Sequence, residues 1–174
     1  MMMKIRFETM AISEVLAVQM VKWYSDKEIA QFVHPNFVEK ELEQFTLNDA
    51  YHAMNDYPDQ SKYVIYDGEI PIGDLSITKN FHLLYDNSAR TAWVSILIGE
   101  RDYWGKGIAK TAMEFLENEC RNMGFKRIEL GVFEHNLRAQ HVYLKMGYHE
   151  IARYPHFTYS NEAWYADIRM EKIL

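Results

Sequence analysis

Hydrophobic and polar positions along this chain switch between a period of two and a period near 3.6, and each switch marks an element boundary. Ile5 to Phe7 predicts a short opening strand. The Ser13 hydroxyl can accept from the exposed amides of a first helical turn, so a helix is expected from there to about Tyr24. A second helix is expected from near Asp26. A weakly periodic helical stretch follows from Val38 to Met54, closed by the turn-rich Asp56-Tyr57-Pro58-Asp59. From Lys62 the pattern turns to β. Tyr63 to Tyr66 are β-branched or aromatic, and Asp67-Gly68 suits the tight turn of a hairpin. In the returning strand Ile70 and Ile72 share one parity and Leu75 and Ile77 the other, so Gly73 should mark a bulge or bend. A third strand is expected from Ala89 to Ile98. It carries Val94, Ile96 and Ile98 on one face and Trp93, Ser95 and Leu97 on the other, the pattern of a central strand covered on both sides.

Ala109, Ala112, Met113, Leu116, Cys120 and Met123 then recur at helical spacing, with Gly124 placed to close the helix. Ile128, Leu130 and Val132 alternate as a strand. Asn136 can cap a helix whose inner face is Ala139, Val142, Tyr143 and Met146, ended by Gly147. Two last strands are expected over Tyr148 to Tyr154 and Trp164 to Glu171. The order describes an α+β protein, a mixed and mostly antiparallel sheet of about six or seven strands with helices on both faces.

Composition narrows the function. The 174 residues are 48% hydrophobic, ample for one core, and one domain over residues 1–174 is the expectation. A formal net charge of -6 argues against a phosphate-tracking nucleic-acid surface. Cys120 is the only cysteine, which excludes an intramolecular disulfide and a cysteine-based zinc site and suits a cytoplasmic location. No apolar segment follows Met1-Met2-Met3-Lys4, and no run is long enough to span a membrane, so neither a leader nor a membrane partner is expected.

The chemistry concentrates where the third strand runs into the loop Arg101-Asp102-Tyr103-Trp104-Gly105-Lys106-Gly107-Ile108-Ala109 and straight on into a helix. Glycines let backbone approach a ligand, and the first helical turn offers unpaired amides with partial positive charge, so the loop suits an anion or simply a tight connection. It matches neither the phosphate loop of nucleoside triphosphatases nor the dinucleotide turn. A second segment follows, Asn136-Leu137-Arg138-Ala139-Gln140-His141-Val142-Tyr143-Leu144-Lys145-Met146-Gly147-Tyr148.

Together the two segments resemble the Gcn5-related N-acetyltransferase (GNAT) family, whose loop reads Gln/Arg-x-x-Gly-x-Gly/Ala and whose second segment reads Asn-x-x-Ala-x-x-x-Tyr-x-Lys-x-Gly-Phe/Tyr. The resemblance is strong from Val94 to Tyr148. The tail residues Arg153, Asn161, Tyr165, Asp167 and Met170 look like the branch containing ribosomal-protein and spermidine acetyltransferases. Trp104 departs from the pattern, standing where the family has Gln or Arg.

The resemblance implies acetyl-CoA as cosubstrate. Its pantetheine arm would pair with the strand edge at Ile96, Leu97 and Ile98, and its phosphates would lie on the loop Trp104, Gly105, Lys106, Gly107, Ile108 and Ala109. Asn136, Ala139 and Lys145 would add contacts from the second segment. Asn136 also suits a helix cap, and Lys145 a favourable place in the helix dipole. Tyr143 would be the general acid for the departing thiolate, because a phenol with a reference pKa of about 10 keeps its proton at neutral pH; a core tyrosine is the alternative.

The family often carries a carboxylate on this strand, but Trp93 stands at that place. Glu100, Asp74, Glu134 and Asp167 are the remaining candidates for a general base, alongside ordered waters. Between Asp26 and Asp59 eight acidic residues face only Lys27 and Lys40, which favours a cationic amine acceptor such as a polyamine, an aminoglycoside or a peptide amino terminus. A non-catalytic acyl-CoA-binding or sensing module and an amino-sugar N-acetyltransferase are the alternatives. No metal is expected. The C-terminal aromatics Tyr154, Phe157, Tyr159, Trp164 and Tyr165 are expected to cover the cleft, join the core or form a homodimer contact.

Overall fold

The computed structural model describes residues 3–174, so Met1 and Met2 of the opening methionine run lie outside the described residues. Seven strands form one sheet: β1 (Ile5–Thr9), β2 (Gln60–Asp67), β3 (Ile70–Thr78), β4 (Thr91–Ile98), β5 (Arg127–Phe133), β6 (His149–Ser160) and β7 (Ala163–Ile173). Their order across the sheet is β1-β2-β3-β4-β5-β7-β6. Every neighbouring pair is antiparallel except β4 with β5, which are parallel and therefore need a crossover.

That crossover is α4 (Ile108–Asn122), whose stripe of Ile108, Ala112, Met113, Leu116 and Cys120 packs with α5 (Leu137–Lys145) on one sheet face. The opposite face carries a smaller core under α1 (Glu14–Ser25) and α3 (Leu47–Met54), centred on Trp23, Met20, Met54, Val64 and Leu97. A mixed, mostly antiparallel sheet with helices on both faces is the architecture the sequence predicts. Among the described residues no helix is long and apolar enough to cross a membrane.

Two expectations change. The helix predicted over Val38 to Met54 shrinks to Leu47–Met54, because Thr46 and Asp49 close a capping box that starts it there. Upstream, Asp26 caps only a single turn, α2 (Lys27–Ala30), and residues 31–46 run irregularly. Asn36 organises that run: its side chain donates to the Lys40 carbonyl and accepts from the Val38 amide. The second change concerns β4, whose second face is covered at Thr91, Trp93 and Leu97 but open at Ser95, which is exposed with its hydroxyl 2.7 Å from that of Ser76.

The parity switch around Gly73 has a clear cause. The β2–β3 register shifts between Ile65 and Tyr66, leaving Ile72 as the extra residue of a bulge. Beside it, a Cβ on Gly73 would meet the Leu97 carbonyl oxygen at 2.1 Å, so only glycine lets β3 approach β4 there.

The β6–β7 hairpin turns through Asn161 and Glu162, both with positive φ (48° and 62°). Its tip staples down the irregular 31–46 run: the Tyr159 amide donates to the Asn36 carbonyl, and the Trp164 indole donates to Glu39. Most of the C-terminal aromatics are spent here, Phe157 packing edge-on against Phe37 and Tyr165 against His135. A left-handed backbone costs a β-carbon residue about 1 kcal/mol, so Glu162→Gly should stabilise the fold by roughly 0.5–1 kcal/mol, readable as a higher urea midpoint at unchanged slope.

Candidate active site

Strands β4 and β5 pair only at Thr91–Arg127, Ala92–Ile128 and Trp93–Glu129. Beyond Trp93, β4 continues on β3 alone, and beyond Glu129, β5 continues on β7 alone, so a slit opens between two strands that start side by side. Successive residues of a strand point their amides and carbonyls to opposite edges. The Leu97 carbonyl faces Gly73 on β3, which turns the backbone groups of Ile96 and Ile98 toward the slit. Of the three residues read from the sequence as pairing with the coenzyme arm, Ile96 and Ile98 present their polar backbone there, whereas Leu97 lends a buried side chain to the smaller core.

At the wide end of the slit the chain passes through a single 3-10 turn (Arg101–Tyr103) into the glycine loop. Gly105 and Gly107 have φ of 73° and 82°, and a Cβ on either would meet nothing within 4 Å, so backbone conformation is what calls for glycine and the cradle stays open. Among the described residues the amides of Gly105 through Lys110 donate to no protein acceptor. Six consecutive donors at the positive end of a fifteen-residue helix with no acidic residue in its first turn suit an anion. This is the observation that fits a coenzyme pyrophosphate. Ile108 anchors the turn in the main core, 3% exposed, while Lys106 lies over the Tyr103 ring, its Nζ 5.6 Å from the centroid.

Trp104 has a role that the sequence does not reveal. Its indole nitrogen donates to the Ile98 carbonyl at 2.8 Å, and the Arg138 guanidinium stacks 3.9 Å from its ring centroid. It thus ties loop, β4 and α5 together at the slit's end. From α5, the Asn136 side chain accepts from the Ala139 amide at 3.2 Å, the helix-cap geometry, and Ala139 packs against the main core. Lys145 is exposed in the last turn. Tyr143 points into the main core, 8% exposed, and burial pushes its phenol up to about 12. A phenol so placed keeps its proton at neutral pH, as a proton donor must.

The other face of the sheet offers a depression of about 300 Å³ beside the slit, with Asp74, Ser76 and Ser95 in its floor and Tyr24 and His52 in its walls. Of the four carboxylates considered as bases, three are engaged. Glu100 accepts from Gln19, from Lys22 at 2.6 Å and from the Trp23 indole at 2.9 Å; burial alone would raise its carboxyl, and these donors hold it below the usual range. Glu134 binds Arg153 at 2.9 Å, and Asp167 binds Arg169 at 2.6 Å. Among the described residues Asp74 accepts only from the Tyr24 hydroxyl, 3.0 Å from each of its oxygens.

Trp93 is stacked on Phe81 at 4.4 Å and lies under the Arg169 guanidinium, so it lines the slit's root as a wall. Two histidines complete the far side. Burial lowers the pKa of both His34 and His135, keeping them neutral among Tyr24, Phe45, Phe32 and Tyr165.

The acidic stretch is partly neutralised: Asp26 meets Arg101 at 3.2 Å, Glu41 meets Lys27 at 2.9 Å, and Asp49 is spent in the capping box. Arg138, Tyr24 and Ser95 are site residues that the sequence reading did not single out. Only Ser95 left a trace there, as a polar position in an otherwise apolar strand.

Solved structures share this architecture. Spermidine N-acetyltransferase from Vibrio cholerae, determined with CoA and spermine, superimposes with a TM-score of 0.75 over 97% of this chain and 95% of its own, at 18% identity. An N-acetyltransferase from Staphylococcus aureus Mu50 gives 0.75 over 98% of each chain at 14% identity. Among curated proteins, the uncharacterized N-acetyltransferase YdgE of Bacillus subtilis (strain 168) is 46% identical over 44 residues, 25% of this chain and 28% of its own length. YycN of the same organism, also an uncharacterized N-acetyltransferase, is 42% identical over 48 residues, 28% of this chain and 31% of its own length. The chain thus matches under a third of the length of these curated relatives. The sequence profile of the acetyltransferase (GNAT) family matches residues 19–148, which spans the slit, the glycine loop and α5, and the chain belongs to that family.

Proposed function

We propose that residues 1–174 act as one domain that moves an acetyl group from acetyl-CoA to a primary amine by direct attack in a ternary complex. The carrying observation is the slit between β4 and β5 opening beside six unpaired amides at the start of α4. An extended pantetheine arm adds to the β4 edge as a strand would, with Ile96 and the Ile98 amide as its backbone partners, the Ile98 carbonyl being held by Trp104. Its diphosphate rests on the amides of Gly105 to Ala109, and Lys106 adds a point charge. Bound so, the coenzyme brings its thioester to the place where the two strands part, and a free amide there stabilises the developing oxyanion.

The acceptor enters from the opposite face, and the reading favours a cationic amine. The depression carries the Asp74 carboxylate and the rings of Tyr24 and Tyr57, with the Lys62 ammonium turned aside to the Ala53 and Asn55 carbonyls, a set that attracts an ammonium. The V. cholerae neighbour, solved with spermine, supports a polyamine as first choice within the branch the tail residues suggest. When the amine nitrogen bonds to the acetyl carbon, the carbon–sulfur bond breaks, the thiolate takes the Tyr143 proton, and the reaction as a whole releases one proton to solvent.

Two measurements test the reading. Calorimetry should give one CoA site per chain. Thiol release from acetyl-CoA, followed over spermidine, spermine, an aminoglycoside, peptide amino termini and neutral or anionic amines, should be fastest for a cation. Turnover confined to neutral or anionic amines refutes the acceptor class, and CoA binding with no turnover on any amine leaves a sensing module as the function.

A further inference from the structure

We infer that Asp74 is the general base of this transfer, drawing the proton from the acceptor ammonium through a bridging water, and that Tyr24 is the positioning residue for its carboxylate. The inference rests on the acetyl-transfer reading above and supplies the group that the usual β4 position, occupied by Trp93, cannot.

The register fixes where Asp74 sits. Val64, Asp74 and Leu97 lie side by side across β2, β3 and β4, and all three point toward α1. The carboxylate is therefore one strand away from the slit, flanked by two buried aliphatic side chains. The next row on the same face is Lys62, Ser76 and Ser95, whose paired hydroxyls bridge from β3 to the very edge of the slit. A proton leaving an amine at the slit thus has a polar track of one strand's width to Asp74. Glu100, Glu134 and Asp167 are each spoken for by cations, which leaves Asp74 as the carboxylate able to accept.

The surroundings tune it. From α1, Tyr24 donates to the carboxylate. From β2, the Lys62 ammonium acts at longer range, itself turned toward the Ala53 and Asn55 carbonyls and toward Asp56. From α3 and the turn after it, His52 and Tyr57 face the same depression. Burial pushes the Asp74 carboxyl up to about 7, against the pull of Tyr24 and Lys62, which puts a base half-loaded at neutral pH. The step balances: the carboxylate gains one proton from the ammonium, the freed nitrogen lone pair forms the carbon–nitrogen bond as the carbon–sulfur bond breaks, the second proton shed by the nitrogen replaces the one Tyr143 gave to the thiolate, and Asp74 returns its proton to solvent.

The experiment compares wild type, Asp74→Asn and Tyr24→Phe with acetyl-CoA and the fastest cationic acceptor of the panel. In wild type, kcat/KM should rise through an apparent pKa near 7. Asp74→Asn should lose on the order of 10²–10³-fold at pH 7.5 and lose that limb, leaving only the titration of the amine itself. Tyr24→Phe, which removes a hydrogen bond to the charged form, should move the limb to higher pH. Stability separates this from misfolding. Between the ordinary carboxyl range and about pH 7 the folded chain binds the extra proton, so stability declines as pH rises through that window. Asp74→Asn cannot ionise and should melt higher than wild type at pH 8. Wild-type turnover with Asp74→Asn within threefold and the same limb overturns the base role alone. Absence of wild-type turnover overturns the transfer reading and the base role with it.

Discussion

Glu129→Ala should cost roughly 3–5 kcal/mol of folding stability, the largest loss expected from a single substitution outside the apolar core. Glu129 is fully buried and accepts from four donors: the Tyr85 amide at 2.7 Å, the Asp86 amide at 3.4 Å, Arg127 at 2.8 Å and Arg169 at 3.3 Å. Removing the carboxylate strands two guanidinium groups that are themselves 2% and 5% exposed. Arg127 would keep Glu171, the Asp86 carbonyl and Thr91, and Arg169 would keep Asp167 and the Leu83 carbonyl, so the lattice would lose its centre and retain its ends. Against a total of about 5–15 kcal/mol, such a loss lowers the melting temperature by roughly 10 °C.

The position also ties stability to the site. Trp93–Glu129 is the last pair before β4 and β5 separate, so the lattice that clamps the Leu83–Asp86 segment also fixes the root of the slit. Hydrogen exchange supplies the local check: the Tyr85 and Asp86 amides should lose protection in Glu129→Ala well before the β2–β3 amides do. Protection loss spread evenly over the sheet would mean that Glu129 is merely one more buried residue.

Element types along β3, β4, α4 and α5 were legible because each repeats one period for several turns or pairs, and Gly73 announced its bulge through a change of parity. The irregular 31–46 segment was not legible, since the hairpin tip that holds it, Tyr159 and Trp164, lies more than a hundred residues away. The site divided in the same manner. Its glycine loop and second segment carry fixed spacing, so Gly105, Gly107 and Tyr143 could be named from the chain alone. The chain offered Asp74 as one of four candidate bases but could not single it out, because Asp74 owes its environment to a cross-strand row and to one tyrosine on α1. The ionic lattice does leave a signal in the chain. Arg127 and Glu129 share a parity in β5, as Asp167, Arg169 and Glu171 do in β7, and charges alternating within strands otherwise so apolar imply buried pairs.

Tyr143→Phe carries the largest expected effect on rate. The substitution keeps the ring, which is packed in the main core 5.9 Å from that of Tyr148, and removes only the hydroxyl. Stability should therefore change little, and CoA affinity by less than about threefold. In the proposed transfer the hydroxyl proton meets the thiolate as the carbon–sulfur bond breaks, an interaction absent from the ground state, so its loss belongs in kcat. General acid catalysis is worth about 10²–10⁴-fold, and kcat should fall by that much while KM for acetyl-CoA stays near its wild-type value. Leaving-group acidity gives a sharper test. An acetyl donor whose thiol is a better leaving group needs less help from the acid, so an activated aryl thioester of the coenzyme should narrow the gap between Tyr143→Phe and wild type. Burial holds the phenol near 12, so ionisation of Tyr143 itself should leave the profile flat up to pH 9. If kcat and coenzyme affinity fall together, Tyr143 serves the slit as packing, and the departing thiolate takes its proton from water.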